Sequence, residues 1–203
     1  MFNNNCVWLN KIDYFYFIII LESEIESSNR GLSAFFMNPI LMKIYTLHTK
    51  QKLPITMEQA WNFLSDPKNL KVITPDYMGF EILSGADRAC YAGQIIQYIV
   101  TPVLGIKTKW VTEITHVEEG SYFVDEQRFG PYALWHHKHF IKEIPGGVEM
   151  EDIVDYKVPM GILGQLAHPI IVKPKLTEIF NYREKKLIEL FGEYQPTSTQ
   201  ENI

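Results

Sequence analysis

The stretch Trp135-His136-His137-Lys138-His139-Phe140-Ile141 places three of the chain's six histidines within four consecutive positions. Imidazole ligates metals, moves protons near neutral pH and hydrogen-bonds polar ligand groups, so such a cluster raises all three chemistries. If the stretch is a strand, Trp135, His137, His139 and Ile141 point one way, and Leu134, His136, Lys138 and Phe140 the other. Only two of the three histidines can then share a site. The same alternation puts Phe123, Asp125, Gln127 and Phe129 on one face of the preceding segment. It puts Met150, Asp152, Val154 and Tyr156 on one face of the following one. With these faces aligned across hairpin neighbours, His137 and His139 come within reach of Asp125, Gln127, Asp152 or Tyr156. A register slip of one residue would reverse the faces.

Each chemistry meets a test. A His-x-His pair beside an aspartate has the donor types of a metal site, but the spacing is common and supplies no fixed fourth ligand, so no metal or cofactor is expected. A histidine paired with an aspartate suits a general base, yet no Ser or Cys stands in a nucleophile elbow or oxyanion context, and no catalytic residue is assigned. Buried polar groups must find partners, so the cluster either satisfies itself as a structural network or awaits a polar ligand group. The favoured reading is a polar patch that orients a mostly apolar ligand against an aromatic wall. The expected ligand-binding residues are Tyr98, Trp110, Asp125, Gln127, Trp135, His137, His139, Asp152 and Tyr156. His48, His116 and His168 are isolated and carry no expected role.

The elements that position these residues follow from pattern. Between Lys43 and Leu53, Tyr45, Leu47, Thr49 and Leu53 alternate as in a half-buried strand. Thr56 and Gln59 form a capping box, with Ile55 and Ala60 as a staple, ahead of a helix burying Ala60, Trp61, Phe63 and Leu64. Asp66 and Pro67 open a second short helix. Six strands are then predicted at Gly79 to Ser84, Gln94 to Thr101, Ile106 to Val117, Tyr122 to Phe129, Ala133 to Glu143 and Gly147 to Val158. Turn residues punctuate them: Ser84-Gly85, Pro102 with Gly105, Glu119-Gly120, Gly130-Pro131 and Pro145-Gly146-Gly147. Short connections mean an antiparallel meander. Leu176, Ile179, Phe180, Arg183, Leu187, Leu190 and Phe191 recur at helical spacing between Pro174 and Gly192. The charged set Arg183, Glu184, Lys185, Lys186 and Glu189 reads as solvated helix surface with local ion pairs. Seven antiparallel strands with one amphipathic helix over one face leave a space between them, and that space is the candidate site.

Composition excludes some functions. The formal charge is -5 and no Lys/Arg-dense run occurs, so nucleic acid is not an expected partner. Cys6 and Cys90 are the only cysteines and do not have disulfide-framework or zinc-ligand spacing; a reducing cytoplasm is the expected location. Fourteen of the first twenty residues are Phe, Asn, Lys, Ile or Tyr, whose codons are rich in A and T. Residues 1–41 therefore read first as an over-extended start, with Met37 or Met42 as initiator, and otherwise as a docked extension or a signal or anchor. The apolar run Tyr14 to Leu21 falls well short of the roughly 20 residues that span a bilayer. The expected organisation is this extension, a ligand-binding domain over 42–193 and a disordered polar tail over 194–203.

The residues Ala60-Trp61-Asn62-Phe63-Leu64-Ser65-Asp66-Pro67 with Leu70, Ile73-Thr74-Pro75, Trp110-Val111-Thr112-Glu113-Ile114, Phe129-Gly130-Pro131-Tyr132, Leu134-Trp135-His136-His137, Asp155-Tyr156 with Pro159, and Ile179-Phe180-Asn181-Tyr182-Arg183 resemble the START-like SRPBCC superfamily. This group includes polyketide cyclases and coenzyme-Q-binding or lipid-transfer START domains. The resemblance covers about residues 43 to 192. It implies an α+β helix-grip fold: a seven-stranded curved antiparallel sheet, two short helices after the first strand and a long C-terminal helix over the sheet. One departure, the pair Pro169 and Pro174, is placed to break the last helix into a short and a long piece.

Such a scaffold hosts many functions. The leading expectation is a non-catalytic protein that binds or transports a hydrophobic small molecule, a lipid, quinone or polyketide-like compound, between sheet and helix, with transient membrane contact. The alternative is a cyclase, dehydratase or hydrolase using His137 or His139 as acid or base. A third reading is an interaction module, with Pro102-Val103-Leu104-Gly105-Ile106 and Met160-Gly161-Ile162-Leu163 forming an apolar rim.

Overall fold

The computed structural model describes residues 43–101 and 106–196. The expectations for residues 1–41, for the hairpin tip 102–105 and for the tail beyond Pro196 lie outside the described residues. Strand β1, Tyr45–Leu53, alternates half-buried and exposed positions along its length and ends on the fully buried Leu53, as its period-2 pattern requires. Helix α1, Met57–Leu64, starts at the capping box: Gln59 N–H donates to Thr56 Oγ1 at 3.1 Å, and Thr56 N–H donates to Gln59 Oε1 at 3.0 Å. Its apolar side buries Ala60 and Trp61. Asp66 caps the next element by accepting from Lys68 N–H at 3.0 Å, and Pro67 stands in the first turn. This element, Pro67–Lys71, is a 3₁₀ helix, and a second one covers Asp76–Met78.

The remaining strands are β2 (Glu81–Ser84), β3 (Gln94–Val100), β4 (Thr108–Glu118), β5 (Tyr122–Phe129), β6 (Leu134–Ile144) and β7 (Gly147–Lys157). All pairings are antiparallel, in the order β1-β7-β6-β5-β4-β3-β2. A meander from β2 to β7, with β1 added beside the last strand, gives an open curved sheet. Strand β2 begins two residues later than its pattern predicts, because Gly79, at φ +53°, still closes the preceding 3₁₀ helix.

The C-terminal helix begins earlier than its apolar spacing predicts. Helix α2, Gly161–Ala167, passes through a π-helical turn, His168–Val172, into α3, Lys173–Phe191. Pro169 falls within the π turn and Pro174 within the first turn of α3, where a missing N–H is tolerated. The two prolines therefore reshape the helix without stopping it. Gly164 is required by close packing: a Cβ there would lie 1.9 Å from the Pro159 carbonyl oxygen. Leu176, Arg183 and Leu187 are the buried positions of α3. Leu187 joins Leu53, Ala60, Trp61, Val148 and Met150 in the larger core cluster, and Leu176 packs with Val154, Tyr156 and Val158 in the smaller one. This architecture is the helix-grip fold.

Candidate functional site

A cavity of about 190 Å³ lies between the sheet and the helices. Its apolar wall includes Phe63, Ile73, Phe80, Ile96, Ile114, Phe123, Leu176 and Phe180. The aromatic part of the wall is continuous: Phe80 lies 4.9 Å from Tyr98, Tyr98 6.0 Å from Trp110, and Trp110 5.3 Å from Trp135, centroid to centroid. Trp110 and Trp135 meet edge to face, a favoured aromatic arrangement.

Strand register brings a charged cluster into this apolar space. His137 stands directly opposite Asp125 of β5, and His139 directly opposite Asp152 of β7. The diagonals close as well. Asp125 Oδ2 lies 2.8 Å from His139 Nε2 and 3.4 Å from His137 Nδ1. Asp152 Oδ1 lies 3.1 Å from His137 Nε2 and 2.8 Å from His139 Nδ1. The last of these contacts lies off the N–H line, so His139 Nδ1 has no aligned hydrogen bond. From α3, Arg183 places a guanidinium nitrogen 3.3 Å from Asp152 Oδ1. Each member apart from Asp125 is at most 8 % exposed.

The electrostatics of the cluster follow from burial set against partners. Burial raises the Asp152 carboxyl, but Arg183 and both imidazoles outweigh it and hold the group well below the usual carboxylate range. Asp125 is also lowered, burial being overcome by the His139 hydrogen bond and the neighbouring positive charges. Burial and the neighbouring His139 charge lower His137, against its aspartate contacts. For His139 the contacts with Asp125 and Asp152 prevail over burial, and its value is raised. Two adjacent imidazoles, with centroids 3.7 Å apart and planes tilted by 40°, are thus driven in opposite directions. The Cys90 thiol, also at the cavity, is pushed up to about 12 by burial and by the charges of Asp125 and Asp66, so it offers no thiolate near neutral pH.

No family model matches the chain, and no curated protein matches it. Solved structures do. Protein Ms6760 from Mycobacterium smegmatis aligns at 18% identity over 75% of this chain and 91% of its own, with a TM-score of 0.53. TTHA0849 from Thermus thermophilus aligns at 14% identity over 72% and 99%, with a TM-score of 0.54. CV1439 from Chromobacterium violaceum aligns at 15% identity over 73% and 99%, with a TM-score of 0.55. At these identities the likeness is one of fold. No helix among the described residues is long and apolar enough to cross a membrane.

Of the nine residues expected at the site, Tyr98, Trp110, Asp125, Trp135, His137 and His139 line the cavity, and Asp152 backs the histidines from behind it. Two expectations need correction. Gln127 does not join the histidines: it lies past the last β5–β6 pair, Glu126 with His136, and its amide closes the loop onto Tyr132, donating to the carbonyl at 2.6 Å and accepting from the N–H at 3.1 Å. Gly130 leaves room for this, since a Cβ there would meet Gln127 Oε1 at 2.4 Å. Phe129, expected on the Asp125 face, is 72 % exposed. Tyr156 is buried but turns to His168, with its hydroxyl 2.8 Å from Nε2. His168 thus has a structural place the sequence did not reveal, stacked 3.5 Å from Tyr45. His136 points away from the cluster, as its strand position predicts, and pairs with Glu126 at 3.2 Å.

The sequence places Arg183 both in the apolar-spaced stripe of the last helix and in its charged set, and the structure decides for the stripe. Arg183 is not part of the solvated charged face; it lines the cavity and holds Asp152. The signal was its spacing, since 183 falls on the stripe of Leu176, Phe180 and Leu187. The rest of that charged face is solvated, with Lys186 pairing to Glu189 at 2.8 Å. Met160 to Leu163, expected as part of a cavity rim, form the start of α2 and do not line the cavity.

Proposed function

We propose that this protein is a cytoplasmic, non-catalytic carrier of a hydrophobic small molecule, a lipid, quinone or polyketide-like compound, held in the cavity of the 42–193 domain. One observation carries the reading. Among the described residues, and leaving aside His139 Nδ1, which faces Asp152, the buried side-chain donors without an aligned hydrogen-bond partner are Trp110 Nε1 and Arg183 Nε, and both residues line this one apolar cavity. Unpaired buried donors are costly, and a ligand with an apolar body and an oxygen-bearing head would relieve that cost. The volume exceeds the roughly 150 Å³ at which a dry apolar cavity takes up benzene. Apolar burial would supply most of the affinity, about 25 cal/mol per Å² before ordering costs.

The experiment is native mass spectrometry and solvent extraction of protein purified from its own host, followed by binding of a lipid and quinone panel. A copurifying apolar molecule and weaker binding by Trp135→Ala are expected; a protein that is reproducibly empty and indifferent to the panel rejects the carrier. Transient membrane contact would fall on the exposed Leu163, Leu166 and Ile170 of the α2 run, next to Lys173, and liposome flotation of Leu166→Glu tests it.

A second reading, an acid–base enzyme of the cyclase, dehydratase or hydrolase type, is favoured by the opposite displacement of His137 and His139, because divergent pKa values mark acid and base roles. Turnover of a candidate ligand lost in both His137→Gln and His139→Gln would support it. Turnover retained in both rejects it.

A further inference from the structure

The two histidines divide their ring nitrogens in a regular way. His137 turns Nδ1 and His139 turns Nε2 toward Asp125 Oδ2, at 3.4 and 2.8 Å. Of the opposite nitrogens, His137 Nε2 hydrogen-bonds Asp152 Oδ1 at 3.1 Å, and His139 Nδ1 lies 2.8 Å from the same oxygen, off the N–H line. Asp152 is in turn held by Arg183 at 3.3 Å. Proteins hold transition metals on such a two-layer plan: ring nitrogens and a carboxylate oxygen converge on one point, while an outer carboxylate takes the opposite ring N–H groups and fixes tautomer and orientation. We propose that Asp125, His137 and His139 form a binding site for a divalent transition-metal ion, with Asp152 and Arg183 as its outer layer.

Spacing supports the inner set. The donor atoms of the three residues all lie within 4.8 Å of one another. An ion about 2.1 Å from each donor sets neighbouring donors roughly 3.0 Å apart at octahedral angles and roughly 3.4 Å apart at tetrahedral ones. The two contacts to Asp125 Oδ2, at 2.8 and 3.4 Å, bracket that range within small adjustments.

Access and charge then choose between the two aspartates. Asp125, His137 and His139 line the cavity, whereas Asp152 does not. Three protein ligands with a remaining position on a cavity is the plan of metal sites that accept an outside ligand. Two carboxylates face a single guanidinium, and an ion that displaces the proton shared within the imidazole pair supplies the balancing positive charge in its place. Arg183 beside Asp152 repels an ion from that side, so Asp125 supplies the inner oxygen. Two imidazole nitrogens and one carboxylate favour Zn²⁺, Fe²⁺, Co²⁺ or Ni²⁺ over Mg²⁺ or Ca²⁺. The proposal does not depend on the apolar ligand, since the metal alone probes it, but a bound ion would add an anchor for a ligand oxygen.

The test uses the full chain, stripped with a chelator and titrated with Co²⁺ and Zn²⁺ alone. One ion per chain is expected by mass spectrometry, with a Co²⁺ visible spectrum showing nitrogen and oxygen ligation. Asp125→Asn and His139→Gln should each lower affinity by at least 1,000-fold. Asp152→Asn should lower it by about 10–100-fold, as for an outer partner. Absence of a stoichiometric Co²⁺ spectrum in the unaltered chain overturns the site, and so does wild-type affinity retained in both inner-set variants. Either failure leaves the carrier reading standing, because apolar ligand binding is measured separately in metal-free protein. Should Asp125→Asn not fold, the Co²⁺ spectrum of the unaltered chain and the His139→Gln variant still decide.

Discussion

Replacing Arg183 with methionine removes the guanidinium while keeping most of the side-chain length. Arg183 is 7 % exposed and 3.3 Å from Asp152 Oδ1; at an effective dielectric of about 20 that attraction is about 5 kcal/mol. Two effects reduce the loss. The variant no longer desolvates a guanidinium, and Asp152 can escape its stranded charge by binding a proton, which near pH 7 costs about 4 kcal/mol from the ordinary aspartate value of about 3.9. The expected destabilisation is therefore about 3–4 kcal/mol, in the range for breaking a buried pair from one side. It corresponds to a fall in Tm of about 6–16 °C for a chain of this size. The measurement is urea unfolding followed by tryptophan fluorescence and circular dichroism, repeated with Asp152→Asn and the double variant. Neutralising Asp152 should restore most of the loss, giving a coupling of about 2 kcal/mol or more. The sign with pH is fixed. Asp152 is held below its ordinary value in the folded protein, so its pairing stabilises above about pH 4 and is lost as pH falls through the folded value. The deficit of the variant should shrink accordingly in acid. A loss below about 1 kcal/mol, or a deficit that adds to that of Asp152→Asn without coupling, would refute the reading of Arg183 as the clamp between α3 and β7.

Three further outcomes are expected. Thr56→Ala opens the capping box of α1 and should cost about 1 kcal/mol in urea unfolding; no measurable change would mean that water replaces the cap fully. Gly164→Ala brings a Cβ against the Pro159 carbonyl and should cost about 1–3 kcal/mol, with faster hydrogen exchange in α2 than in α1; unaltered stability would contradict the close approach. Tyr156→Phe removes the hydroxyl 2.8 Å from His168 and should lower stability by about 1–2 kcal/mol while leaving ligand affinity unchanged, whereas an affinity loss without destabilisation would return Tyr156 to the binding site.

The sequence by itself determined what local interactions govern. Thr56 and Gln59 mark their helix start because the cap spans three residues, and Asp66-Pro67 mark the next for the same reason. Alternation alone put His137 and His139 on one strand face and His136 on the other, since a strand's side-chain period is independent of its neighbours. Tertiary structure decided everything that depends on pairing across the sheet. Which aspartate opposes which histidine is a matter of register, set by burying whole strand faces together. The end of the β5–β6 pairing at Glu126 and His136, past which the Gln127 amide closes onto Tyr132, belongs to two strands at once and leaves no mark in either. Arg183 fell both on the stripe of Leu176 and Leu187 and in the charged run with Glu184 and Lys185. Only the packing of α3 over β7 turns it inward, because a buried guanidinium is tolerated solely where a buried carboxylate meets it, and that carboxylate lies 31 positions earlier in the sequence.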